Sequence, residues 1–216
     1  MLTPERARRW YPDDPVHGFE HVLRVVRLAE RLAQAEGADL EIVRVAALLH
    51  DAQDTEGEPE RTGERRGARR SDHHERSAEL AGAVLRADGW PRERIKAVQH
   101  CIRAHRFRDD TTIPQTLEAR VLFDADKLDA IGATGAARAI GYALAAGQPF
   151  YARPSARFLE TGALEQGEQH SAYHEYLFKL VKIKDRLFTN SGRLMAESRQ
   201  RLMIEFFERL AEEMEI

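Results

Sequence analysis

His50 and Asp51 stand side by side where the apolar stretch EIVRVAALL runs out. Imidazole and carboxylate together suit a borderline divalent cation, with Mn2+ the first choice and Fe2+, Co2+, Zn2+ or Mg2+ also admissible. Two more positions offer the same donors. His21 lies on the stripe His21, Val25, Leu28, Leu32, which a helix turns toward the core. Asp126 sits four residues after Leu122 and four before Ala130, again on an apolar helical face. Asp124 and Asp129 fall on other faces and read as solvated or capping groups. Taken alone, His21 is more often a satisfied core histidine than a ligand, and His50–Asp51 two polar residues at a helix end. An inward carboxylate is harder to explain by packing, because burying it unpaired is costly. A shared cation accounts for His21, His50, Asp51 and Asp126 at once. On an octahedral ion they leave two positions for water or substrate, and such a water is acidified.

Helices must carry these residues, and the chain predicts little else. Helical stripes run from His17 to about Glu36 and from Asp39, a candidate N-cap, to Asp51. Further helices are expected from about Asp72 to the DGWP turn and from Pro91 to near His105. The stretch Leu117 to Gly147 reads as one helix that bends or breaks near Gly132–Gly135. A helix from about Ser171 to Leu187 follows, and a last helix capped by Asn190 or Ser191 carries Leu194, Met195, Leu202, Met203, Phe206, Phe207 and Leu210. Residues 55–71 hold no large apolar side chain and form a polar loop with Arg61, Arg65, Arg66, Arg69 and Arg70. It is either a solvated loop or a phosphate-gripping one, since guanidinium binds phosphate oxygens in pairs. With no internal repeat and no linker, the expected fold is all-α, a single compact helical domain over residues 1–216.

Composition narrows the class. Of 216 residues, 43% are hydrophobic, enough for a core, and the net charge of −3 gives no general attraction to nucleic acid or an anionic membrane. The lone Cys101 cannot form an internal disulfide, which fits a reducing compartment, and it reads as packing. No apolar run approaches the roughly 18 residues of a membrane span and no signal-type segment opens the chain, so a cytoplasmic protein is expected. The last helix has an apolar face that packs either inside the monomer or against a partner, which leaves a homodimer open.

The ordered segments HGFEHVLRV, LLHDAQD and VLFDADKLDAIGATG resemble the HD-domain metal-dependent phosphohydrolases, a family named for the His-Asp pair. HHERSAELA, IRAHRF and the C-terminal YLFKLVKIKDRLFTNSGRLMAESRQRLMIEFFERL extend the likeness to the small stand-alone bacterial members. The motif core then spans about residues 17–130, with C-terminal helices over about 170–214. The resemblance implies His21, His50, Asp51 and Asp126 as metal ligands. It implies hydrolysis of a phosphoester or phosphoanhydride, with a nucleotide as the expected substrate and nucleoside triphosphate pyrophosphohydrolase or nucleotidase as the expected activity. Some relatives hold a second metal, for which His74 and His105 are the candidates here, with a substrate contact as the alternative. His73 is expected at the surface, and His17 near the site or as a cap.

Other groups follow from that chemistry. Asp54, three residues past Asp51, would orient or deprotonate the water if the helix continues that far, and is a solvated loop residue if it does not. Lys127 is the leading phosphate-binding candidate, with Arg106, Lys179, Lys182 and Lys184 behind it; each also reads as a solvated surface cation. Phe150, Tyr151, Phe158, Tyr173 and Tyr176 would either stack on a base or pack in the core. The alternative function is a non-catalytic nucleotide-sensing or regulatory protein with a structural metal site.

Overall fold

The computed structural model describes residues 2–12, 18–52, 73–106 and 112–215, and every regular element among them is helical. His17, Asp54 and the arginines of residues 61–70 lie outside the described residues. The chain divides into two compact units, Met1–Asp126 and Lys127–Ile216.

In the first unit, α1 (Pro4–Ala7) leads through a 3-10 turn to α2 (Phe19–Glu36), α3 (Leu40–Leu49), α4 (His73–Ala87), α5 (Arg92–Ala104) and α6 (Leu117–Asp129), whose last turn opens the second unit. α2 buries Val22, Val25, Val26, Ala29 and Leu32 and stops at Gly37, whose left-handed φ of 76° turns its N–H onto the Ala33 carbonyl. Asp39 caps α3 as expected, its Oδ1 accepting from the Glu41 and Ile42 amides. From Val45 to Leu49 α3 is buried throughout, packed against both α2 and α5, so its C-terminal end lies well inside the unit. α4 and α5 form a helical hairpin. Its turn uses Gly89 at φ 73°, and Pro91 is the N-cap of α5 rather than its first residue. Cys101 is fully buried, and burial pushes its thiol up to about 12, in keeping with a packing role.

In the second unit, α7 (Gly132–Ala145), α8 (Ala156–Thr161) and α9 (Ala172–Phe178) precede two 3-10 turns and the long α10 (Asn190–Met214). Several expectations are corrected here. The break before α7 falls at Ala130–Ile131. The single helix expected to Leu187 ends at Phe178 and tightens into 3-10 turns at Leu180–Lys182 and Lys184–Arg186. That winding lets Leu180, Ile183 and Leu187 all be buried. The cap of α10 is Thr189, whose Oγ1 accepts from the Gly192 amide, one residue earlier than Asn190. α10 packs on α7 and buries Ala196, Gln200, Met203 and Phe207, with Phe207 stacked on Tyr176 at 4.5 Å. Leu194, Leu202 and Phe206 remain exposed.

Asp124 and Asp129 are not solvated. Both are fully buried. Asp129 accepts from Arg138 Nη1 at 2.6 Å, and the same guanidinium reaches the Asp129 carbonyl and the Tyr142 hydroxyl.

The loop between α7 and α9 is held by one carboxylate. Glu168 accepts from the Ser155 amide at 2.7 Å, the Ser155 hydroxyl at 2.8 Å and the Glu165 amide at 2.6 Å, and lies 3.1 Å from His174 Nε2. Burial opposes its ionisation, but these donors outweigh it and hold the carboxyl down to about 2. A carboxyl lowered in the folded state stabilises above its unfolded pKa and loses that contribution as pH falls toward its folded value. Glu168→Gln is therefore expected to lower the melting midpoint by several degrees at pH 7. The gap from wild type should close as the melts are repeated from pH 5 toward pH 2.

Candidate metal centre

α3 ends at Leu49, and His50 is its C-cap. The fully buried His50 ring places Nδ1 2.8 Å from the Ala47 carbonyl. A carbonyl only accepts, so the proton sits on Nδ1 and the Nε2 lone pair faces inward. Among the described residues that Nε2 has no hydrogen-bond partner. It lies 3.5 Å from Asp51 Oδ2 and 4.0 Å from Asp126 Oδ1. His21 Nε2, from the first turn of α2, lies 3.9 Å from Asp51 Oδ2 and 3.4 Å from Asp126 Oδ1. The four residues singled out in the sequence are thus brought together, with ligand atoms of His21, His50 and Asp51 all within 4.8 Å of one another.

The other oxygen of Asp51 faces a second group. His105 Nε2 is 3.4 Å and His73 Nε2 is 3.5 Å from Asp51 Oδ1. His105 is the C-cap of α5 and repeats the device of His50, with Nδ1 2.5 Å from the carbonyl three residues back, that of Ile102. His73, expected at the surface, is half-buried in this cluster. His74 is buried but stands outside it, with Nε2 4.0 Å from Glu75 Oε1. The sequence names the histidine pair; choosing between its members required knowing where α4 begins.

The charge states suit ligation. Burial pushes His50 down to about 4, against the pull of the Asp51 charge. Burial also opposes ionisation of Asp51, yet His50, His105 and His73 together hold its carboxyl well below the usual range. At neutral pH the site presents a neutral His50 imidazole and an ionised Asp51 carboxylate, the forms that bind a cation. The unpartnered His50 Nε2, opposite carboxylate oxygens it does not donate to, is an atom a cation would satisfy. The donor set fits a borderline divalent ion.

Arg106 directly follows His105 and is half-buried. Lys127, treated as a surface cation in one reading, is buried. Lys179 is engaged with Glu175 at 2.7 Å, and Lys182 lies 5.0 Å over the Phe178 ring. Phe158 and Tyr176 are buried core residues, whereas Phe150 is exposed.

A family model of the HD domain matches residues 18–131, which carry every residue of the cluster, and the chain belongs to the HD-domain family. It is 32% identical over 218 residues to the protein YpgQ of Bacillus subtilis (strain 168), covering 97% of this chain and 93% of YpgQ. A crystal structure of YpgQ in complex with ADP matches with a TM-score of 0.69 at 29% identity, over 98% of this chain and 97% of that one. An HD-superfamily hydrolase from Bacillus thuringiensis matches with a TM-score of 0.67 at 26% identity, over 98% and 94% of the two chains. A Lactobacillus plantarum protein reaches 0.73 at 28% identity, over 99% and 98%. The all-α architecture and its relation to HD-superfamily hydrolases are therefore established. No helix among the described residues is long and apolar enough to cross a membrane.

Proposed function

We propose that the protein is a metal-dependent phosphohydrolase acting on a small phosphorylated metabolite, a nucleotide. The carrying observation is Asp51. One of its oxygens faces the His21, His50 and Asp126 group and the other faces His73 and His105, beside an unpartnered buried His50 Nε2. His21, His50, Asp51 and Asp126 would hold a divalent cation, Mn2+ foremost. Asp51 with His73 and His105 offers a position for a second. When bound, such a cation supplies Lewis acidity toward a phosphoryl oxygen and toward water. The residues around it do the remaining work. His50 and His105 keep their Nε2 atoms aimed inward through their Nδ1 bonds to backbone carbonyls. Arg106 and Lys127 are the cations assigned to the phosphate, and Asp54 the group that orients the attacking water. The nucleotide assignment draws support from the YpgQ complex with ADP. A single buried thiol fits a cytoplasmic setting.

The test is turnover of nucleoside mono-, di- and triphosphates with Mn2+, Co2+ or Mg2+, scoring phosphate and pyrophosphate separately. Pyrophosphate from a triphosphate identifies a pyrophosphohydrolase, and phosphate from a monophosphate a nucleotidase. Retained Mn2+ and ADP binding without turnover of any of them would instead indicate a sensor. No turnover, with Mn2+ content unaltered in Asp51→Ala, would remove the reading altogether.

A further inference from the structure

The last turn of α3 is an unusual helix end, because its carbonyls are claimed by groups other than backbone amides of a continuing helix. The Ala47 carbonyl accepts from His50 Nδ1, and the Leu49 carbonyl accepts from the Ala52 amide at 3.2 Å. Between them, the Leu48 carbonyl accepts from the Tyr11 hydroxyl at 2.8 Å, a bond made in the buried interior across 37 positions of sequence. A continuing helix would give the Ala47 carbonyl to the Asp51 amide, but the His50 ring takes that place. Tyr11 thus ties down the carbonyl next to the one that the His50 imidazole takes. Its ring also packs on Phe19 at 5.4 Å, two residues before His21. On the far side, the Ser77 hydroxyl donates to the Ala52 carbonyl at 2.8 Å. Ser77 lies one turn beyond His73 on α4 and is buried.

We propose that Tyr11 and Ser77 are positioning residues for the metal centre: they clamp the backbone on either side of Asp51 and so fix where its two carboxylate oxygens point. The proposal rests on the metal reading given above. Packing alone would need the Tyr11 ring but not its hydroxyl. The hydroxyl donates to the Leu48 carbonyl, two residues before His50, which is the work of an outer-shell partner. Asp51 serves both histidine groups, so a small rotation of its backbone displaces both oxygens together.

The test compares wild type, Tyr11→Phe, Ser77→Ala and a core variant remote from the clamp, Ile42→Val. Each is titrated with Mn2+, and the visible spectrum of each Co2+-loaded protein is recorded. The expected result is a loss of Mn2+ affinity of roughly 10- to 100-fold in Tyr11→Phe and Ser77→Ala, the range typical of outer-shell partners. A shifted Co2+ absorption envelope should accompany it. Ile42→Val, whatever its melting loss, should keep the wild-type spectrum. Wild-type affinity and an unchanged Co2+ spectrum in both clamp variants would overturn the proposal while leaving the metal centre standing. Should Tyr11→Phe fail to fold, Ser77→Ala decides by the same spectrum. A wild-type protein that binds neither ion overturns the metal centre and the clamp with it.

Discussion

Asp51→Ala is expected to leave the protein folded and its metal centre non-functional. Cation content after loading and desalting should drop to background, and hydrolysis should fall by more than about a hundredfold, beyond what loss of an outer-shell partner costs. Among the described residues, Asp51 alone belongs to both candidate ligand groups, so one substitution dismantles both. Loss of His105 or His73 should be milder, since each touches only the Oδ1 side. Asp51→Asn is the informative intermediate. It keeps one carbonyl oxygen and the shape but removes the charge that balances the cation, so weak binding should survive at high Mn2+. Metal content by elemental analysis and turnover measured on the same preparations check the prediction. Full cation content in Asp51→Ala would show that the ligands have been misassigned.

A second large effect is expected far from that chemistry. Asp129→Ala removes a fully buried carboxylate to which Arg138 donates at 2.6 Å, and Arg138 is itself mostly covered. Removing one partner of a buried ion pair strands the desolvation cost of the other, typically about 3–5 kcal/mol. The same guanidinium also reaches the Asp129 carbonyl and Tyr142, so the pair ties the end of α6 to α7 inside the second unit. Urea denaturation should show the midpoint falling sharply in Asp129→Ala and by less in Asp129→Asn, which still offers an oxygen. A midpoint within error of wild type would mean that the pair is dispensable.

The candidate metal ligands were legible because their types conflict with their surroundings. A histidine on a valine–leucine stripe and an aspartate between apolar helical neighbours are anomalies that periodicity exposes. His73 escaped because periodicity needs a frame, and the polar stretch before it supplies none. Asp124 and Asp129 were misread as solvated for a related reason. A face that is polar by residue type is buried when a guanidinium such as Arg138 arrives from the next helix, and no local pattern announces that arrival. The break at Phe178 was missed because spacings of three and four suit α-helix and 3-10 turns alike over so short a run. Tyr11 carried no signal either. Its bond to Leu48 joins segments far apart in sequence, and nothing in RRWYPDD distinguishes a phenol that packs from one that ties down a helix end.

His50 and His105 cap α3 and α5 at their C-terminal ends, and this has a consequence for the order in which ligands arrive. A helix carries a partial negative charge at its C-terminus, equivalent to about half an elementary charge. Both of these ends come to Asp51, and Asp126 adds its own carboxylate. Before any cation binds, these helix ends and carboxylates disfavour a polyphosphate. Once one is bound, the sign at the mouth of the site is offset or reversed. If the proposed function holds, cation and nucleotide should therefore load in sequence, with the metal as the admission requirement for the substrate.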